Sequence, residues 1–190
     1  MNHLQLRYAT AETKDAVLTA LRNSGDRDGI LTEVMAGLTE RMLRDTRRLG
    51  AELHDAMTGA LTGAVDAATE AGAEMGSAAR SIMAGTLRGA GHVGRSTVDI
   101  ASESAATLVH GAYEVGNDVA SAARGAVEGA MDSARDLGVT VEEAASAAAQ
   151  GALRGAGDID RTSWREVRRV LSESVAGMNV VLPETRPLSI

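Results

Sequence analysis

The chain has 190 residues, of which 44% are hydrophobic and 24% charged, with a formal net charge of −7 and no cysteine. Without cysteine, neither a disulfide framework nor a cysteine-ligated zinc site is available. Only 2% of the residues are aromatic, whereas 35 are alanine and 21 are glycine, so any hydrophobic core must be thin, with helix backbones close together.

Residues 1–31 predict a short N-terminal helix followed by a loop. Val17, Leu18 and Leu21 stand at helical spacing and place this helix over about 11–23. The stretch after it contains Asn, Ser and two glycines, which are typical of a loop. The first residues include no apolar run, so no signal peptide is expected.

Residues 32–158 form an Ala/Gly-rich helical segment in which the charged residues follow a period of eleven. All 20 Asp, Glu and Arg residues from Glu52 to Arg154 fall on six of the eleven positions. Eleven residues make three turns at 3.67 residues per turn, so the charges line one side of a helix. The alternative is an ordinary amphipathic helix of 3.6 residues per turn, but its charged stripe would drift around the helix over this length.

The period predicts two long helices, over 33–88 and 97–154, with a break near 89–96. Thr32 and Ser96 are the expected N-caps. We therefore expect an all-α fold: an elongated hairpin of long helices with eleven-residue (hendecad) periodicity, nearly straight or with a right-handed supercoil.

A second glycine-rich break, at 155–158, is predicted to precede a C-terminal helix within 159–178. Ser163 followed by Glu166 forms a capping-box pattern, which places this helix over about 164–177. Residues 179–190 include two prolines and are expected to form an extended tail.

Pairs of glycines four residues apart recur along the helical segment. This spacing lets helices approach closely, and close packing would offset the cost of about 1 kcal/mol that each helical glycine carries relative to alanine. The alternative is that glycine and alanine fill a weakly ordered helix. The predicted helix-packing residues are Gly59, Gly63, Gly72, Gly76, Gly85, Gly89, Gly125, Gly129, Gly151 and Gly155.

Patterns that could indicate chemistry are weak in this chain. Gly89, Gly91 and Gly94 match the dinucleotide-binding spacing, but the residues before them continue a helical pattern instead of forming the required strand. The four histidines include no pair at helical i,i+3 or i,i+4 spacing that would form a metal-binding face. We predict no catalytic residue, no cofactor, no metal site and no small-molecule substrate.

Two groups of arginines stand at helical spacing. Each is interpreted as a solvated helix face or as an anionic contact with phospholipid headgroups, an acidic partner or the acidic middle of a neighbouring copy. The two groups are Arg41, Arg44, Arg47, Arg48 and Arg161, Arg165, Arg168, Arg169.

The middle of the chain is acidic. Residues 52–154 carry 6 basic and 14 acidic residues, which argues against nucleic acid and against simple electrostatic attachment to anionic lipid. The longest uncharged stretches of this region have ten residues, whereas a membrane-spanning helix needs about 20. The protein is expected to be cytoplasmic, or peripheral to a membrane or granule surface.

In periodicity and composition, residues 33–178 resemble amphipathic helical proteins with eleven-residue repeats, such as apolipoprotein-, synuclein- and perilipin-like coats and late-embryogenesis-abundant-like chains. They are also similar to the Ala-rich phasins of bacterial storage granules. The chain departs from synuclein-like repeats, which carry many lysines, because its only lysine is Lys14. The resemblance implies a helical chain that coats a surface and carries over no functional residue.

These patterns favour a non-enzymatic structural protein that forms a homo-oligomer or scaffold through small-residue helix faces. The alternative is an amphipathic protein that coats a lipid granule, a polyester granule or a membrane. Self-association is preferred because a two-helix hairpin cannot cover its own wide Ala/Gly face, and shallow faces insert weakly into lipid.

Overall fold

The computed structural model describes residues 3–44, 51–94 and 96–173. These residues form α-helices and one short 3-10 helix and contain no strand, so the predicted all-α class is confirmed. The helices are α1 (His3–Asn23), α2 (Arg27–Arg44), α3 (Ala51–Glu70), α4 (Met75–His92), α5 (Thr97–Glu114), α6 (Val119–Ala134), α7 (Val141–Ile159) and α8 (Arg161–Ser172), with the 3-10 turn Arg135–Leu137 after α6.

The predicted hairpin of two long helices is wrong. The segment 33–88 is divided among α2, α3 and α4, and the segment 97–154 among α5, α6 and α7. No helix of the described part of the chain exceeds the 21 residues of α1. The predicted extended tail, 179–190, lies outside the described residues.

Glycine turns end successive helices at a regular spacing. Gly72, Gly94, Gly116 and Gly138 have φ angles of 68°, 67°, 69° and 70° and follow one another at intervals of 22 residues. Around Gly116, the Asn117 N–H donates to the Ala112 carbonyl at 2.8 Å, which is the Schellman bond that closes a helix at a left-handed residue. The repeating unit is therefore a helix and a turn of 22 residues.

This unit gives a physical reason for the period of eleven in the charged residues. Twenty-two is two elevens, and each turn restarts the helix at the same phase. Ordinary helices of 3.6 residues per turn then keep their charges on the solvent side, because no single helix is long enough for the stripe to drift far.

Two of the predicted N-caps are wrong, because these helices begin earlier in the chain than expected. Thr32 lies inside α2, which begins at Arg27, and the Asp26 side chain accepts a hydrogen bond from the Gly29 N–H at 3.0 Å. Ser163 lies inside α8, where it is buried, and Asp160 is the N-cap. In both regions an aspartate placed earlier in the chain starts the helix, because a carboxylate caps exposed N–H groups well.

The glycine-rich stretches predicted as breaks are mostly helical. α4 continues through Gly89 and Gly91 to His92, and α7 continues through residues 155–158 to Ile159. The break between α4 and α5 is confined to residues 93–96, and the N-terminal helix starts at His3 rather than near residue 11.

The helices are arranged in two rows, because α1 to α7 each pack most extensively against a helix two places away along the chain, while α8 contacts both α7 and α6. One row contains α1, α3, α5 and α7, and the other contains α2, α4, α6 and α8. Neighbours within a row are parallel: Gly59 and Gly63 of α3 lie against Leu6 and Thr10 of α1, in the same chain direction. Stacking of one repeated unit on the next is the organisation of helical solenoids.

The core between the rows is built from small and aliphatic side chains. Most of the described alanines from α3 to α7 are fully or almost fully buried. The largest fully buried side chains are Met35, Ile82, Met83, Leu87, Leu108, Leu153, Leu171, Val17, Val65, Val109, Val127 and Val167.

Candidate binding groove between α3 and α5

Glycine occupies one position of the 22-residue unit where a helix meets its row neighbour. Gly63, Gly85, Gly129 and Gly151 stand at this position in α3, α4, α6 and α7. A Cβ atom at these glycines would collide with the backbone carbonyl oxygens of Thr10, Thr32, Arg80 and Ser102, respectively. The backbones of these four helix pairs are therefore in direct contact.

Four more of the predicted packing glycines face a neighbouring backbone. A Cβ at Gly59 would lie 2.7 Å from the Leu6 carbonyl oxygen, and one at Gly155 would lie 2.7 Å from that of Ala106. Gly89 and Gly125 meet the carbonyl oxygens of Ala36 and Gly76 in the same way. All of these contacts are made within one chain.

The remaining pair behaves differently. Gly72 was expected to pack against a helix, but it forms a turn with φ of 68° and no described atom lies within 4 Å of its Cβ position, so this expectation is wrong. A Cβ at Gly76 would lie 3.2 Å from the Glu74 carboxylate oxygens and 3.4 Å from the Ser121 carbonyl oxygen, so it would not collide with a neighbouring backbone.

α5 interrupts the glycine series. The equivalent position, 22 residues after Gly85 and before Gly129, is Thr107. A threonine side chain at this position leaves no room for the direct backbone contact that glycine allows in α3, α4, α6 and α7. One turn later, a Cβ at Gly111 would lie 3.5 Å from the Val65 side chain, which is ordinary van der Waals contact. The two helices therefore meet near Gly111 and separate toward their N-terminal ends.

A groove with a volume of about 340 Å³ lies in this separation. Its lining combines large apolar side chains with hydroxyl and charged groups. The apolar residues are Leu43, Leu53, Met57, Leu61 and Ile100; the hydroxyl residues are Thr58, Ser96, Ser104 and Thr107; the ionisable residues are His54, Asp99 and Glu103.

The ionisable groups stand at the rim of the groove. Glu103 Oε2 lies 3.9 Å from His54 Nδ1, and both side chains are more than half exposed. Asp99 forms no ion pair with any described residue. The Thr107 hydroxyl donates to the Glu103 carbonyl at 3.1 Å, which leaves its lone pairs as acceptors on the groove side. The rim can therefore hold a positive charge or a hydrogen-bond donor.

The first predicted arginine group is partly paired at the C-terminal end of α2. Arg44 lies 2.6 Å from Glu40, and the other Glu40 oxygen lies 3.0 Å from His92 Nδ1. The hydrogen bond with His92 is the main cause of the lowered pKa of Glu40. Arg41 is exposed, and Arg47 and Arg48 lie outside the described residues.

The second arginine group covers α8. Arg161, Arg165 and Arg169 are exposed, and Arg169 lies 3.8 Å from Glu173. Arg168 is half-buried, with its guanidinium 5.3 Å from the centre of the Trp164 ring. Since α2 and α8 stand at opposite ends of their row, the fold does not bring the two groups together.

Neither metal binding nor membrane crossing has a structural basis in the described ranges. No group of three or more His, Asp or Glu side chains there is placed to hold a metal ion. Across the same residues, no helix combines the length and the apolar character needed to cross a membrane.

Sequence reasoning missed the groove, although a signal for it exists. The eleven-residue period places Gly63, Gly85, Gly129 and Gly151 in one series, and reading that series at intervals of 22 shows Thr107 as the exception. The sequence does not show which helix each glycine faces, so the threonine in this series does not by itself predict a groove. Comparison with protein-family models, with curated proteins and with solved structures finds no match to this chain.

Proposed function

We propose that this chain is a non-enzymatic helical scaffold that binds a ligand in the groove between α3 and α5. The observation that carries the proposal is the coincidence of Thr107 with the groove: within the series from α1 to α7, the row pair α3 and α5 lacks the close glycine contact, and the groove lies between these two helices. The tight glycine contacts on the other pairs hold the surrounding stack rigid, so the groove is formed in advance of binding.

The proposal keeps the non-enzymatic part of the expectation from sequence and does not include self-assembly. Copies of the chain were expected to cover the Ala/Gly faces, but here other helices of the same chain cover them. Among the described residues, the exposed large apolar side chains are Tyr8, Val98 and Tyr113, on α1 and at the two ends of α5. Scattered side chains of this kind do not form a continuous apolar patch for self-association.

The alternative, a coat on a lipid or polyester surface, requires the stack to open. The apolar sides of the helices are buried against each other, so they can meet a lipid surface only after the two rows separate. No feature of the groove favours that alternative.

The test is an NMR titration of the full chain with a library of small apolar and amphiphilic fragments. Fragments that bind should shift the amide signals of Met57, Ile100 and Thr107 more than those of other residues. Thr107→Phe should fill the groove and abolish these shifts. Thr19→Phe, which adds the same ring on the exposed side of α1, is the matched control and should leave them unchanged.

Binding at other surfaces only, or binding that survives Thr107→Phe, would contradict the proposal. Both variants need to retain the helical circular dichroism of the unmodified chain for this comparison. If Thr107→Phe does not fold, Met57→Trp, which fills the groove from the α3 side, replaces it.

A further inference from the structure

We infer that the groove between α3 and α5 binds a small amphiphilic cation, that is, a hydrocarbon body carrying one protonated amine. This inference rests on the proposed function and adds the chemical class of the ligand. Its evidence is the size of the groove, the apolar character of its floor and the sign of the charges at its rim.

The size and floor of the groove suit a small hydrocarbon body. A volume of about 340 Å³ is within the range of small-molecule sites. Leu61 is only 2% exposed and Leu43 8%, so the floor is continuous with the protein core. One turn after Thr107, Gly111 and the Val65 side chain are in van der Waals contact, and neither residue lines the groove.

The charges at the rim favour a cation over an anion. Asp99 and Glu103 are four residues apart on α5 and therefore lie on the same side of the helix. Among the described residues that line the groove there is no Lys or Arg, and His54 is the one basic side chain in that set. Two carboxylates in this arrangement attract a protonated amine and repel a carboxylate.

The two carboxylates, Asp99 and Glu103, should contribute unequally to binding of the cation. Asp99 belongs to the first turn of α5, where the partial positive charge of the helix N-terminus offsets part of its negative charge. Glu103 lies one turn further along and has no such compensation. The hydroxyl oxygens of Thr58 and Thr107 provide acceptors for the remaining N–H groups of the ammonium.

The experiment compares n-octylamine, n-octanol and octanoate, which share one hydrocarbon chain and differ in charge. Each is titrated into the full chain at pH 8 and followed by NMR and calorimetry. Octylamine should bind at least about threefold more tightly than octanol, and octanoate should bind most weakly, because exposed charge pairs have modest energies.

Substitutions test whether octylamine binding depends on the carboxylates of the groove or on the net negative charge of the chain. Glu103→Gln should weaken octylamine binding about twofold to fivefold and leave octanol binding unchanged, and Asp99→Asn should have a smaller effect. Glu114→Gln is the matched control, because Glu114 is another exposed carboxylate of α5 that does not line the groove. It should bind all three compounds like the unmodified chain.

The outcomes distinguish this inference from the proposed function. If octanol binds as tightly as octylamine and Thr107→Phe blocks both, the groove is a binding site but the cation class is wrong. If Glu103→Gln leaves octylamine binding unchanged, the assignment of the rim is wrong. If none of the three compounds binds, or if Thr107→Phe does not affect their binding, both the inference and the proposed function fail.

Discussion

At the scale of single residues, Ser96 and Asp118 occupy the same position of the helix-turn unit but start their helices differently. Asp118 Oδ1 accepts hydrogen bonds from the Ala120 N–H at 2.9 Å and the Ser121 N–H at 3.0 Å. The side chain of Ser96 forms no capping bond within the described structure. The unit therefore specifies where a helix begins, while the side chain determines how strongly that start is stabilised.

Removing the two caps should have unequal effects on stability. Asp118→Ala should lower the free energy of unfolding by about 1 kcal/mol, the usual cost of losing an N-cap. Ser96→Ala is the matched control and should lower it by at most about 0.3 kcal/mol, since no capping bond is lost. Urea denaturation followed by circular dichroism measures both, and equal losses would contradict the assignment of the caps.

The cap at Asp118 also predicts how stability depends on pH. The hydrogen bond from the Ser121 backbone is the main cause of the lowered pKa of Asp118, whose ordinary value is 3.8. Because the folded pKa lies below the unfolded value, the ionised carboxylate stabilises the fold above pH 3.8, and this contribution is lost as the pH falls through the folded pKa.

Asp118→Asn tests this dependence, since asparagine caps a helix but does not titrate. The difference in unfolding free energy between the unmodified chain and this variant should be constant near neutral pH. Below pH 3.8 the unmodified chain should lose stability relative to Asp118→Asn, so the difference should shift steadily in favour of the variant. Denaturation series from pH 2 to pH 7 provide the measurement, and a difference that does not vary with pH would contradict the lowered pKa.

At the scale of helices, the glycine contacts define how close row neighbours come. A Cβ at Gly129 would lie 2.9 Å from the Met83 Cβ and would collide with the Arg80 carbonyl oxygen. α6 would have to move away from α4 to accommodate it. Gly37 offers the contrast, because it lies on the exposed side of α2 and no described atom is within 4 Å of its Cβ position.

Alanine at these two glycines should change stability in opposite directions. Gly129→Ala should lower the free energy of unfolding by about 1–2 kcal/mol, since the strain of overpacking exceeds the gain in helix propensity. Gly37→Ala should raise it by up to about 1 kcal/mol from helix propensity alone. Thermal and urea denaturation measure both effects, and stabilisation by Gly129→Ala would mean that α4 and α6 are not in backbone contact.

At the scale of the whole molecule, the two rows cover almost all of the large apolar side chains that belong to the described residues. The exposed sides of α1 and α8, the first and last helices among the described residues, carry charged residues such as Asp15, Arg161 and Arg165. Polar outer faces on terminal units stop a repeat stack from adding further copies. Assembly through the ends of the stack is therefore disfavoured.

The chain should behave as a compact monomer. Sedimentation equilibrium should give a mass near 19.6 kDa without lipid. Its helical circular dichroism should not increase on addition of vesicles, because the helices are already formed and their apolar sides are covered. A larger mass would support the self-assembly expected from sequence, whereas helix gained only on vesicles would support the coat.

The sequence by itself determined the all-α class, the outward side of each helix and the thinness of the core. These properties depend on composition and on the local spacing of charged and apolar residues, which are visible without a fold. The eleven-residue (hendecad) helix geometry stays a prediction, and the continuous long helices drawn from it were wrong. Periodicity shows which side of a helix is polar and does not show where Gly72 or Gly116 reverses the chain.

Only the tertiary structure decided what covers the glycine faces and where the stack opens. Whether Gly63 meets another copy or its own chain depends on the path of the backbone, and that path brings it against Thr10, 53 residues earlier. The role of Thr107 depends on the same backbone path. On an exposed side of a helix, its methyl and hydroxyl groups would not affect helix packing. On the side of α5 that faces α3, they line the groove between the two helices.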